Sequence, residues 1–182
     1  MPPKAKIAMM VGYNGSEFFG SQKNQNVRTV EDEIEKALRD INAIAPFNYG
    51  DLKKISWSRA TRTDKSVHAL QNVFSCKVHL SRKMRENHLE DFRQKLNEGI
   101  QARLEDKNEI KVFCLVEVSN RFNAKINASY REYSYYLPSF LLTNIYSAYL
   151  GKKGTSLVAE EMRQPKPEEI TGVKVINGIT VT

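Results

Sequence analysis

Residues 58–69, Ser-Arg-Ala-Thr-Arg-Thr-Asp-Lys-Ser-Val-His-Ala, concentrate polar chemistry between two apolar runs. A single carboxylate, Asp64, sits among Arg59, Arg62 and Lys65, and neighbouring cations favour the charged form of a carboxylate. An ionised Asp with no structural ion pair to serve is a nucleophile or a general base. The same residue also fits a second role, a turn aspartate bonded to its own backbone between two strands. Residue chemistry alone leaves both open.

Residues 62–69, Arg-Thr-Asp-Lys-Ser-Val-His-Ala, closely resemble the signature of the tRNA pseudouridine synthase family that includes the TruA-like enzymes. That signature reads Arg-Thr-Asp-(Lys or Ala)-Gly-Val-His-Ala, and its Asp is catalytic. Residues 13–22, Tyr-Asn-Gly-Ser-Glu-Phe-Phe-Gly-Ser-Gln, resemble the same family's Tyr-Asp-Gly-x-x-Phe-x-Gly-Trp-Gln segment, with Asn14 in place of Asp and Ser21 in place of the aromatic. Residues 121–138 resemble its Phe-(Asn or His)-Ala-(Arg or Lys) start, at Phe122 to Lys125, and its later Arg-x-Tyr-x-Tyr strand, at Arg131 to Tyr135.

The resemblance implies an isomerase that detaches a uracil from its ribose at N1, turns it and rejoins it through C5. The base must leave its stack for this to happen. In that scheme Asp64 is the catalytic carboxylate, Arg62 helps to extrude the target nucleotide, and Tyr133 stacks on the flipped uracil. Lys65, Lys125 and Arg131 hold RNA backbone, a contact that carries no sequence information. The implied partner is tRNA, with other RNAs and a homodimer within the family's range, and the chemistry asks for no cofactor and no metal.

Two departures accompany the resemblance. Ser66 stands where the family has Gly, so a positive φ there would strain the backbone by about 1 kcal/mol or more. The similarity runs from about Ile7 to Pro138, and the family's second half is not found, which points to a fragment. Residues 1–140 are accordingly expected to be the catalytic N-terminal subdomain, and 141–182 a linker with a partial further segment.

The elements that must position Asp64 follow from periodicity. An apolar run over 7–13 ends at Asn14-Gly15, a strand followed by a turn. Thr29 is placed to cap a helix whose first turn is acidic and whose Val30, Ile34, Ala37, Leu38 and Ile41 make one apolar face. A loop over 45–52 precedes a short strand at 54–58, and 72–80 returns as a strand. Leu89, Phe92, Leu96, Ile100 and Leu104 mark a helix over about 86–104, and 110–118 is a strand. The resulting order is the α+β, ferredoxin-like split βαββαβ arrangement with a mostly antiparallel sheet. Asp64 then lies in a strand-to-strand connection held by a rigid scaffold. Tyr133 and Tyr135 share one face of a later strand, 151–154 reads as a basic loop, 164–167 as a break, and 172–181 as a last strand or tail.

Composition narrows the classes. With 182 residues the chain can bury a real core, and no apolar run approaches the roughly 20 residues that span a bilayer. No apolar stretch of a secretory signal follows the first residues. Cys76 and Cys114 lie in apolar runs outside any Cys-x-x-Cys pair, as thiols of a reducing, intracellular compartment do; nucleus, cytoplasm and mitochondrion are left open. His68, His79 and His88 lack metal-ligand spacing. The 28 basic and 21 acidic residues leave a net +7, which suits a polyanion. A non-catalytic RNA-binding module on the same fold is the main alternative, although the RRM signature is absent. A metabolic enzyme on this fold would need a cofactor motif that the sequence lacks.

Overall fold

Strand β1 (Lys4–Tyr13) is buried along nearly its whole length, because it is the centre of a four-stranded antiparallel sheet and has a neighbour on each side. The computed structural model describes residues 3–82, 89–105, 109–135, 174–176 and 179–181. After β1 come helix α1 (Val30–Asp40), β2 (Ser58–Arg59), β3 (Ala69–His79), helix α2 (Glu90–Gln101), β4 (Ile110–Val118) and a one-turn helix α3 (Ala124–Asn127). The sheet order is β2-β3-β1-β4, with β1 antiparallel to both β3 and β4 and β2 antiparallel to β3. This is the split βαββαβ order that the element sequence predicts.

Alternation sorts the strands into two faces. Ile7, Met9 and Val11 of β1 share a face with Phe74 and Cys76 of β3, and bury against Ile34 and Leu38 of α1 and Phe92, Leu96 and Ile100 of α2. Each such side chain contributes about 1.5–3 kcal/mol of transfer free energy. Burial pushes the Cys76 thiol up to about 12, so it stays protonated within the core. Cys114, although it also lies in an apolar run, is only half-buried, and both thiols are free.

Helix α1 begins where the sequence places it: the Thr29 hydroxyl accepts the Asp32 amide at 3.3 Å. The strand expected at 54–58 is different. Leu52–Ile55 is a 3-10 turn, its start capped by the Asp51 side chain, and Ser56 adopts a left-handed conformation. Only Ser58–Arg59 pairs, with Ser75 and Phe74. The Ile55/Trp57 alternation mimics a strand because the left-handed kink throws two turn residues onto the core. Pro46–Asn48 adds a second 3-10 turn within the expected loop. In α2 the described helix starts at Glu90, and residues 86–88 lie outside the described ones.

Two irregularities in the ladder are sealed by asparagines. The β1–β4 register shifts between Met10 and Val11, and there Asn97 of α2 donates to the Val112 carbonyl at 2.9 Å and accepts the Val112 amide at 2.8 Å. The β1–β3 register shifts between Val11 and Tyr13, and there sits Asn72. Bulges of this kind re-aim chain ends near functional sites.

The chain forms two compact units, residues 1–129 and 130–182. In the second, β5 (Ser134–Tyr135) pairs in parallel with β7 (Ile179–Val181), which is antiparallel to β6 (Lys174–Ile176). The terminal stretch expected to hold one strand or a tail thus contains two. The basic loop at 151–154 and the break at 164–167 lie outside the described residues. Among the described residues no helix is long and apolar enough to cross a membrane.

Candidate active site

Antiparallel pairing brings the two motif loops to one end of the sheet. Tyr13, the last residue of β1, lies opposite Ala69, the first of β3, so the loop leaving β1 (residues 14–29) and the loop entering β3 (residues 60–68) meet there. They are clasped by reciprocal bonds: the Ser21 amide donates to the Thr63 carbonyl at 3.0 Å, and the Thr63 amide donates to the Ser21 hydroxyl at 2.9 Å. The Ser66 amide donates to the Phe18 carbonyl at 3.1 Å, and the Gly15 amide to His68 Nδ1 at 3.2 Å. Glycine is required at two of these contacts. A Cβ on Gly15 would stand 2.1 Å from the Val67 carbonyl oxygen, and Gly20 has φ +93 with Thr63 O at 2.7 Å from its would-be Cβ.

From below, Asn72 holds the start of the second loop. Its side-chain amide donates to the Thr61 carbonyl at 3.1 Å and to the Tyr13 hydroxyl at 3.3 Å, and that hydroxyl lies 2.9 Å from Thr63 Oγ1. A buried Asn with partners at both ends fixes its loop strongly, since leaving such a group unpaired costs about 1–3 kcal/mol.

Asp64 opens a tight turn: the Val67 amide donates to its carbonyl at 3.2 Å. Ser66, third in that turn, has φ +63, the conformation that normally calls for glycine at this place. The strain that the Ser-for-Gly departure implied is therefore present. The Asp64 side chain is exposed, and among the described residues its carboxylate has no hydrogen bond or ion pair. The turn forms through the Asp64 backbone and leaves the carboxylate to solvent.

The cations around it are sorted by face. Arg59, which the sequence places with Arg62 and Lys65 around Asp64, is committed elsewhere. Strand alternation points it to the helix side, where its guanidinium binds Glu31 with both Nε and Nη2, the latter at 3.0 Å. Glu31 is fully buried and also accepts from Trp57 Nε1 at 2.8 Å and the Lys23 amide at 2.9 Å. Burial pushes its carboxyl up, and the four donors pull it back only in part. One side chain thus joins α1, the loop after β1 and the strand that enters the Asp64 loop. In the sequence Glu31 reads only as a helix-dipole acid; the hint is that Trp57 and Arg59, two residues apart, fall on one side of an extended segment.

Arg62 and Lys65 do flank Asp64, and both are exposed. Arg62 Nη1 donates to Gln22 Oε1 at 3.2 Å, and the Lys65 ammonium lies 4.3 Å from the centre of the Phe19 ring. Lys125 is exposed on α3. That helix is capped by Asn123, whose side chain accepts the Lys125 amide at 3.0 Å, and it is tied to β2 by the Ala124 amide donating to Ser58 Oγ at 2.9 Å. Arg131 and Tyr133 are exposed residues of the second unit, just before β5. Arg62, Asp64 and Lys65 are thus brought together within the first unit.

Fold and site together define an α+β domain of split βαββαβ topology that presents, on a clasped turn, a carboxylate without a partner among the described residues, with held cations two positions before it and one after. No family model matches the chain. It is 34% identical over 166 residues to tRNA pseudouridine synthase 1 of Saccharomyces cerevisiae, covering 91% of this chain and 27% of that protein. It is 37% identical over 134 residues to the tRNA pseudouridine(27/28) synthase of the same yeast, covering 74% of this chain and 32% of that protein. With the pseudouridylate synthase 1 homolog of Mus musculus the identity is 34% over 142 residues, 76% of this chain and 30% of that protein. The chain is a homologue of the tRNA pseudouridine synthases, and it spans about 27% to 32% of the length of these curated relatives.

Proposed function

We propose that this chain carries the catalytic carboxylate of an isomerase that converts uridine to pseudouridine in tRNA. The observation that carries the reading is the exposed Asp64 carboxylate, without a partner among the described residues, on a turn whose backbone is fixed on both sides. A structural aspartate spends its oxygens on nearby donors; a carboxylate kept for a substrate does not, and rigid support of its loop is what positioned chemistry requires. The names of the relatives support the same reaction.

In that reaction the bond between C1′ of the ribose and N1 of the uracil breaks. The base turns, C5 bonds to C1′, the C5 proton leaves to solvent and N1 takes up a proton. Substrate and product are isomers, so the balance needs no external oxidant or reductant. Asp64 initiates the exchange by attack on the ribose or the uracil, or by taking a ribose proton. Arg62, two residues before it and held through Gln22, occupies space or binds phosphate as the nucleotide leaves its stack. Tyr133 provides a flat wall for the flipped base, and Lys65, Lys125 and Arg131 bind RNA backbone. The partner in this reading is tRNA, with other RNAs and a homodimer left as open alternatives, and the site of action is within the cell.

The reading is tested by incubating unmodified tRNA with the full gene product that contains this chain, and separately with its Asp64→Asn variant, and separating the product nucleosides. Pseudouridine formed by the first and absent from the second supports it. Binding of tRNA without pseudouridine from either assigns the chain to RNA recognition alone.

A further inference from the structure

Phe18 and Phe19 are adjacent and have opposite fates. Phe18 is buried, with the Arg28 guanidinium 4.7 Å from its ring centre, whereas Phe19 is 52% exposed. Its exposure does not come from a loose backbone. The Phe19 amide donates to the Arg28 carbonyl at 2.9 Å, the preceding carbonyl accepts the Ser66 amide, and Gly20 after it packs against Thr63. The ring is therefore held out into solvent on the same clasp that fixes the Asp64 turn. Over it lies the ammonium of Lys65, the residue after Asp64.

Resting on the reading above, we infer that Phe19 is a stacking platform for a nucleobase neighbouring the target uridine, with Lys65 binding a phosphate beside that base. Three features on the page converge on this. A flat apolar ring is exposed on the clasp that fixes the Asp64 turn, the ammonium of the residue after Asp64 lies over that ring, and a second cation, Arg62, is exposed two residues before Asp64. Aromatic faces beside cations are how proteins hold single-stranded RNA without reading its sequence, because every base has a face to stack and every nucleotide a phosphate. A duplex would offer Phe19 only a base edge or backbone, so the ring selects a strand whose bases near the target are already unstacked.

The test uses the full gene product that contains this chain, with Phe19→Ala, Phe19→Leu and Phe19→Trp variants, and reads tRNA affinity together with KM and kcat. Stacking predicts that Phe19→Ala weakens affinity and raises KM by roughly tenfold or more while kcat stays within about twofold, as loss of uniform binding does. Phe19→Leu recovers little, because it restores apolar area without a flat face. Phe19→Trp keeps affinity, and its added fluorescence is quenched on addition of tRNA. Unchanged affinity in Phe19→Ala, full recovery in Phe19→Leu, or a tryptophan at 19 that is not quenched overturns the inference. If tRNA binds and responds to residue 19 but no pseudouridine forms, the catalytic reading fails and the stacking role survives. If the wild-type protein does not bind tRNA, both fail.

Discussion

Ser66 shows what a single residue contributes to this site. Its φ of +63 is a conformation that costs a non-glycine residue about 1–2 kcal/mol, and its exposed side chain has one long contact, to the Ser16 carbonyl at 3.4 Å, to offset it. Replacing it with glycine removes the strain but adds backbone entropy to the unfolded chain, an opposing effect of about 0.5–1 kcal/mol. Ser66→Gly is therefore expected to stabilise the protein by about 0.5–1 kcal/mol, a rise of about 2 °C in Tm by calorimetry for a chain of this size. This strain was legible beforehand from one substitution in a glycine position. Glu31 was not. Its carboxyl is raised from 4.5 in the unfolded chain by burial, so at pH values between 4.5 and the folded value the native state binds more protons than the unfolded one. Stability from this group then falls as pH rises through that window. Glu31→Gln should abolish that slope, seen as a urea midpoint that changes less between pH 4.5 and 7 than the wild type's, although loss of the Arg59 partner lowers the midpoint throughout.

At the scale of elements, the clasp between the two loops is the device that turns a sheet end into a site. Ser21 was visible in the sequence only as a missing aromatic. In the fold its hydroxyl replaces a backbone partner for Thr63, which no pattern of apolar residues reveals. Periodicity located α1, the part of β3 from Asn72 onward and β4 because their apolar side chains are buried at regular spacing there. It failed at 54–58 because a 3-10 turn followed by one left-handed residue reproduces the period of a strand over four positions. It also gave no sign that Asn72 and Asn97 fill the two breaks in the ladder, since both are polar residues that a period count sets aside. The tight contact at Gly15 gives the clasp a direct test. Gly15→Ala places a methyl 2.1 Å from the Val67 carbonyl oxygen, so the loops must separate. A loss of about 2 kcal/mol or more in urea unfolding, with faster hydrogen exchange at the Ser66 amide, is the expected outcome.

At the scale of the whole molecule, a net charge of +7 supplies attraction for a polyanion but does not choose one. Arg62, Asp64, Lys65 and Phe19 share one loop cluster at an end of the sheet, and the choice is made there under the function proposed above. Motif residues of the first unit could be gathered from the sequence because the antiparallel topology that joins Tyr13 to Ala69 was readable in the element order. Tyr133 and Arg131 lie in the second unit, whose short strands carry too little periodicity to be placed from sequence. The central claim is that Asp64 performs chemistry and not only recognition. It is tested most directly by release of tritium from C5 of uridine in tRNA, comparing the full gene product that contains this chain with its Asp64→Asn variant, alongside tRNA affinity. The account predicts that Asp64→Asn lowers release by at least about a hundredfold while affinity stays within about threefold. Release that persists in Asp64→Asn, or a wild type that binds tRNA and releases none, would contradict it.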